Sequence, residues 1–433
     1  MTRPAATFRR LLGRGGLRRL AIFQYLSILG PGLVAANAGN DAGGIATYAQ
    51  VGASYGYNLL WMLLLTLVSL IVVQEMCARM GAITGKGLSE LIREEFGPRW
   101  TVFAMVTLLV ANGLTTISEF AGIAASLELV GVSRYISVPI SGLLIWWLVA
   151  RGSYSRVERI FLLMTLAFFA YPISAILAHP DWGAVARATV VPSFQLSTGY
   201  IFMFVATVGT TITPYMQIFV QSSVVDKGIT ANEYRYERIE VIFGSIFANV
   251  IALSIVVTTA ATLFVHHTPI DTAADAAQAL APLAGRYAAL LFGVGLLGAS
   301  MLAGGVLPLA TAFSVSEAFG WEKGLSTNPS EAPAFYTLFT SLIVIGALVT
   351  LVPGLPLIQL LLVVQVINGL LLPALLVFIV LLASNREVMG KYRNGRWFNV
   401  LAWGTVVIVG ALAILLVATT VIGPLVGLNL GSG

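Results

Sequence analysis

The chain of 433 residues has one cysteine, Cys77, and three histidines. A single thiol excludes an intrachain disulfide and any cysteine cluster for metal. His179, His266 and His267 fall in or beside loops, which argues against a zinc site built on a helix face. Charge is also scarce. Asp, Glu, Lys and Arg make up 10% of the residues, where a soluble domain carries about 25%. Hydrophobic residues make up 58% and mean hydropathy is +0.90. No stretch rich in Pro, Ser or charge reads as a linker, so one domain is expected. Without a Ser/His or Cys/His set at membrane depth the chain does not read as an enzyme, and without a large soluble portion it does not read as a receptor. What is left is an all-α polytopic membrane protein.

Windows of about 20 apolar residues place spans near 27–55, 57–80, 101–131, 135–150, 157–178, 198–224, 238–265, 287–317, 334–352, 356–383 and 398–422. The net charge of +5 reports topology and not nucleic acid. With the amino terminus inside, only Arg134, Arg187 and Arg286 of the 24 Lys and Arg residues fall outside, as the positive-inside rule asks. An odd number of spans and an external carboxyl end follow. Residues 1–26, with Arg3, Arg9, Arg10, Arg14, Arg18 and Arg19, read as an uncleaved basic cytoplasmic arm. They precede a single transmembrane domain, 27–433. Residues 179–197 read as an external polar loop, and 271–284 as a short surface helix.

Two spans are interrupted. The first holds Gly39, Asn40, Asp41, Gly43 and Gly44 in its middle. A carboxylate at that depth costs about 2.5–3.5 kcal/mol, and glycines there loosen the helix and free carbonyls that lipid cannot satisfy. A cation at the break explains both; the plainer reading is a kinked helix whose Asp meets a neighbouring Ser or Arg. The sixth span reads Ala206-Thr-Val-Gly-Thr-Thr-Ile-Thr-Pro-Tyr-Met-Gln217. Pro214 frees the carbonyl of Thr210. A proline kink patched by threonine hydroxyls would look the same. Paired with the first break five spans earlier, it points to two structural halves with a site between them.

Gly30-Pro-Gly32 followed by Asp41, Ile45-Ala-Thr47 and Gln50-Val-Gly-Ala53 resembles the first helix of the NRAMP divalent-metal transporters. Ser118-Glu-Phe-Ala-Gly122 resembles that family's third-helix motif, Thr213-Pro-Tyr215 falls at its sixth-helix Met-Pro-His, and Gln365 and Pro373 match its tenth helix. The resemblance spans nearly the whole chain. It implies the leucine-transporter-type fold: two inverted five-helix repeats, about 27–178 and 198–383, with broken helices 1 and 6, and one extra helix at about 398–422. The departures matter. The family's Asp-Pro-Gly-Asn is Asp41-Ala42-Gly43-Gly44, its Ala and Met positions are Thr210 and Thr213, its His is Tyr215, and an Asp of its proton route is Thr116, while Glu119 is kept. This pattern is similar to the NRAMP-related magnesium transporters, which implies Mg²⁺ and Mn²⁺ import without obligatory proton coupling.

The donor chemistry agrees. Asp41 with threonine hydroxyls and freed carbonyls offers only oxygen, which suits Mg²⁺, Ca²⁺ and Mn²⁺, and Mg²⁺ usually keeps several waters. The expected site is Asp41, Asn40, Gly44, Thr210, Thr213 and Gln365, although Gln365 also fits a buried helix–helix hydrogen bond. Glu119, Thr116 and Tyr215 are pathway candidates; Glu119 either carries protons or widens a negative path, or is protonated and packed against a hydroxyl. Glu75 and Arg79, one turn apart, read as a structural pair. No resident cofactor is expected, the partners are a divalent cation and the bilayer, and a monomer is compatible with the sequence. The competing readings are a proton-coupled Mn²⁺ or Fe²⁺ carrier and a sodium-coupled carrier of a small organic solute.

Overall fold

The computed structural model describes residues 40–150, 166–322 and 330–422. The basic arm, Gly30-Pro-Gly32, Gly39 and the first part of the fifth span lie outside them. The described residues are helical nearly throughout. In chain order the helices are α1 (Ala42–Tyr55), α2 (Leu60–Thr84), α3 (Leu88–Glu128), α4 (Arg134–Ala150), α5 (Ala170–Leu177), α6 (Trp182–Val190), α7 (Thr198–Thr211), α8 (Pro214–Asp226) and α9 (Tyr234–Thr259). They continue as α10 (Ala273–Ala277), α11 (Ala281–Ala284), α12 (Ala288–Phe319), α13 (Pro333–Thr350), α14 (Leu357–Ser384), α15 (Arg386–Met389) and α16 (Arg396–Val417). Eight helical stretches of the described chain are long and apolar enough to cross a membrane, and two shorter apolar helices accompany them. With α1, the described part of the first span, they follow the spans expected from the sequence in order.

Local chemistry sets the boundaries. Gly97, at φ +76°, and Pro98 break α3: the glycine takes the left-handed conformation that a side chain resists, and proline restarts the helix where its missing N–H costs nothing. The charged turns 88–96 thereby separate from the apolar length of α3. Residues 179–197 are not a plain loop. Asp181 accepts from the Gly183 and Ala184 amides and starts α6, a cap that the polar composition hid. The surface helix expected over 271–284 is present as α10 and α11, opened by a capping box between Thr272 and Asp275.

Helix α3 is the axis of the bundle, flanked by α12, α13 and α14. Small residues bring particular helices to backbone distance. A methyl on Gly209 of α7 would lie 2.0 Å from the Gln365 carbonyl oxygen, and one on Gly369 of α14 would lie 2.5 Å from the Val205 carbonyl oxygen. A methyl on Gly122 of α3 would meet the Ala42 Cβ at 2.4 Å and the Ser300 Oγ at 2.3 Å. These close approaches, the usual device where helices pack without a hydrophobic drive between them, converge the start of α1, the end of α7, the last turns of α3 and mid-α14 on one region. At the arginine-rich end, Glu75 pairs with Arg79 at 3.2 Å and accepts from the Tyr234 hydroxyl. Arg79 donates to the Tyr392 carbonyl at 2.8 Å and to Asn394 at 2.5 Å. The structural reading of that pair holds, and it ties α2 to the start of α9 and to the segment before α16.

Candidate cation site at two helix breaks

On the described side of the first break, α1 starts at Ala42, so Gly43 and Gly44 belong to its first turn and Asn40 and Asp41 precede it. Asp41 is the N-cap, in extended conformation. Its Oδ1 accepts from the Gly44 amide at 2.6 Å, and its carbonyl accepts from Ile45 at 3.0 Å. A carboxylate here satisfies an orphan amide and offsets the positive end of the helix. Gly44 therefore meets Asp41 as an N–H donor. The second carboxylate oxygen, Asp41 Oδ2, is buried without a partner, as are both polar atoms of Asn40.

The second break is a true gap. α7 ends at Thr211, Ile212 leaves the helical region (φ −117°, ψ 54°), and Thr213 is the extended N-cap of α8 with no capping hydrogen bond from its side chain. Pro214 occupies the first position of α8, so it opens a helix and does not kink one. The Thr210 carbonyl still loses its partner, because the residue four further on has no N–H. The Thr210 hydroxyl is fully buried and unpartnered. The Tyr48 hydroxyl reaches Thr211 Oγ1 at 2.9 Å and joins α1 to α7 beside the gap.

Two neighbours complete the region. Glu119 of α3 is fully buried, and its carboxylate faces the Ala42 amide at 3.4 Å and the Ser118 hydroxyl at 3.5 Å. It thus stands at the same helix end that Asp41 caps. Gln365 of α14 lays its side-chain amide on Gly43: a methyl there would be 1.9 Å from Nε2. Tyr215 is buried on α8 with Met216, Ala303 and Leu307. Thr116 is different. Its hydroxyl donates to its own helix at Asn112 (2.8 Å), and its methyl lies toward Gly346 of α13, which makes it a packing residue. Asn112 donates to the Thr311 hydroxyl at 2.7 Å, an interhelical bond.

Sequence reasoning missed Ser300, whose buried unpartnered hydroxyl lies against Gly122, close to Ala42, and Thr115, which Asn368 contacts. Nothing in the sequence singles out Ser300. The spacing of three between Gln365 and Asn368, one helical turn, is a signal for the latter. No group of three or more His, Cys, Asp or Glu side chains converges among the described residues. A cation held here would rely on one or two carboxylates, with hydroxyls, amide oxygens, free carbonyls and water supplying the rest. Buried polar groups left without partners at a helix gap are what such an ion requires.

Residues 32–419 match the family model described as natural resistance-associated macrophage protein-like. The chain belongs to the Nramp family. It is 30% identical over 424 residues to the divalent metal cation transporter MntH of Deinococcus radiodurans, covering 95% of this chain and 92% of that one. It is 26% identical over 406 residues to the protein of the same name from Bacillus subtilis, with 91% and 92% covered. Among solved structures, the Eremococcus coleocola manganese transporter in complex with an aromatic bis-isothiourea substituted compound superposes with a TM-score of 0.77 at 20% identity, over 96% of this chain and 90% of that one. MhsT in complex with L-phenylalanine superposes with a TM-score of 0.59 at 12% identity, over 89% and 97%. These likenesses establish a leucine-transporter-type fold. In this Nramp chain, then, the two interrupted helices are features of the fold. At the gaps this chain carries glycine at 44, threonine at 210 and 213, and tyrosine at 215.

Proposed function

We propose that this Nramp protein is a divalent-cation transporter that carries Mg²⁺, and also Mn²⁺, into the cell by alternating access, without proton coupling. The relatives named for divalent metal transport support the cation class. The observation that carries the finer reading is the donor set at the breaks. Asp41 Oδ2, Asn40 and Thr210 are buried and unpartnered, and position 213 offers a hydroxyl. Oxygen alone favours a hard cation, and one anchoring carboxylate with small neighbours suits an ion that keeps part of its water. The reading has the amino terminus in the cytoplasm and the carboxyl terminus outside, which the distribution of Lys and Arg along the sequence supports. One bundle would rock against the other about the two gaps, and a doubly charged ion gains about 4.6 kcal/mol per 100 mV of favourable membrane potential.

A specific observation supports one rival. Glu119 shares the α1 helix end with Asp41, and a second buried carboxylate is a natural proton carrier. Proteoliposomes separate the two readings. The proposal expects Mg²⁺ and Mn²⁺ uptake with no change of internal pH; uptake coupled to internal acidification would replace it with a proton-coupled carrier. Selectivity gives an independent check. The double substitution Thr213→Met and Gly44→Asn adds a thioether and an amide oxygen at the gaps and is expected to raise Cd²⁺ affinity by about tenfold, since soft ligands select soft metals. Competition of Cd²⁺ against Mn²⁺ uptake reads this out, and no gain would contradict the assignment of ligand positions.

A further inference from the structure

A buried hydrogen-bond chain links α3 to the site through α14, and its direction is fixed by counting protons. The Thr115 hydroxyl donates to the Ala111 carbonyl at 2.8 Å. Having one proton, it can only accept from Asn368, so the Asn368 atom 2.9 Å away is the NH₂ group. The other N–H of that group reaches Gln365 at 3.2 Å, and the atom that accepts it is Oε1. Gln365 is left to present its own NH₂ to the first break, against Gly43, fully buried and with no acceptor. Such a chain is how amide orientation is assigned, and each link constrains the next.

We infer that Thr115 and Asn368 act as a relay that keeps the Gln365 carbonyl oxygen out of the inner shell of the transported cation, and so set its preference for Mg²⁺ over Mn²⁺. An NH₂ group cannot ligate a metal. It donates to a carboxylate, a free carbonyl or an outer-shell water. With Gln365 held this way, the inner shell has one oxygen fewer from protein and one water more. That favours Mg²⁺, which dehydrates reluctantly. Freed from the relay, Gln365 can turn its oxygen to the ion and replace a water, which favours Mn²⁺. Thr115 and Asn368 are positioning residues, since they act through Gln365. This inference rests on the proposed binding of a hard divalent cation at Asp41.

The test is the ratio of initial Mn²⁺ to Mg²⁺ uptake in proteoliposomes, each cation measured alone. Thr115→Val removes the acceptor and Asn368→Leu removes the relay. Each is expected to shift the ratio toward Mn²⁺ by about tenfold, the low end of what outer-shell partners of a metal site carry. Thr115→Ser keeps the hydroxyl and keeps the wild-type ratio. Asn112→Ala breaks a buried α3–α12 bond of the same kind, to Thr311, and also leaves the ratio in place. The relay is overturned if both disruptive variants transport with the wild-type ratio, if Thr115→Ser shifts it as far as Thr115→Val, or if Asn112→Ala shifts it equally. Should wild-type protein move neither cation, the proposed function itself falls, and the inference with it.

Discussion

Asp41→Ala is expected to abolish divalent-cation uptake and leave a folded, monodisperse protein in detergent. The two halves of this result have separate causes. Losing the N-cap of α1 costs about 0.5–2 kcal/mol. Removing a carboxylate from membrane depth relieves about 2.5–3.5 kcal/mol of insertion cost. The fold therefore survives. The site does not, because Oδ2 is the buried carboxylate oxygen that Asp41 leaves unpaired at the gap, and the other unpartnered groups there, on Asn40 and Thr210, are neutral. Asp41→Asn refines the argument: it retains an oxygen able to accept from Gly44 but loses the charge, and is expected to fail in transport as completely. Tracer uptake with size-exclusion chromatography on the same preparations measures both halves. Wild-type uptake by the alanine variant would remove Asp41 from the mechanism.

The second large effect is on packing. Gly209→Ala places a methyl 2.0 Å from the Gln365 carbonyl oxygen, 2.5 Å from the Gly369 nitrogen and 2.9 Å from the Gly369 Cα. All three are backbone atoms, so no rotamer change relieves the clash. α7 and α14 must separate by more than about an ångström to restore van der Waals contact. Overpacking of this kind costs about 1–3 kcal/mol, occasionally more. It also moves the end of α7, and with it Thr210, away from Gln365. A lower midpoint of thermal unfolding and a large loss of uptake are expected together. Gly404→Ala on α16 is the matched control. A methyl there meets nothing within 4 Å, and removing a helix-interior glycine gains up to about 1 kcal/mol. If the two variants unfold alike, the close α7–α14 contact is not as described.

How much of this was legible before the structure depends on the range of the interaction. Asp41 stood out because a carboxylate inside an apolar run has a large cost and needs a reason. The order of helices followed from hydropathy, and the Glu75–Arg79 pair from spacing along one helix. The first break was expected over 39–44, around Asn40 and Asp41, and α1 begins at Ala42. Gly43 and Gly44 look like helix breakers, but here they are helical: Gly44 supplies the amide that Asp41 caps, and Gly43 makes room for the Gln365 amide. Glycine's meaning as gap or as contact point is decided by a neighbour hundreds of residues away. For the same reason the contact of Glu119 with the Ala42 amide, 77 residues away, could not be read from either helix alone. Thr116 was grouped with it by alignment to a family motif, yet its hydroxyl is spent on its own helix. The relay from Thr115 to Gln365 joins residues that are neighbours only in three dimensions, and no single-helix pattern contains it.

The account depends on a divalent cation seated between the α1 and α7–α8 gaps. Anomalous scattering from crystals grown with Mn²⁺ tests that most directly. The expected result is one strong peak beside Asp41, between Asn40 and the Thr210–Thr213 segment, with water filling much of its coordination shell and Gln365 contributing no oxygen to it. A well-ordered protein with its Mn²⁺ elsewhere, or with Asp41 remote from the ion, would contradict it.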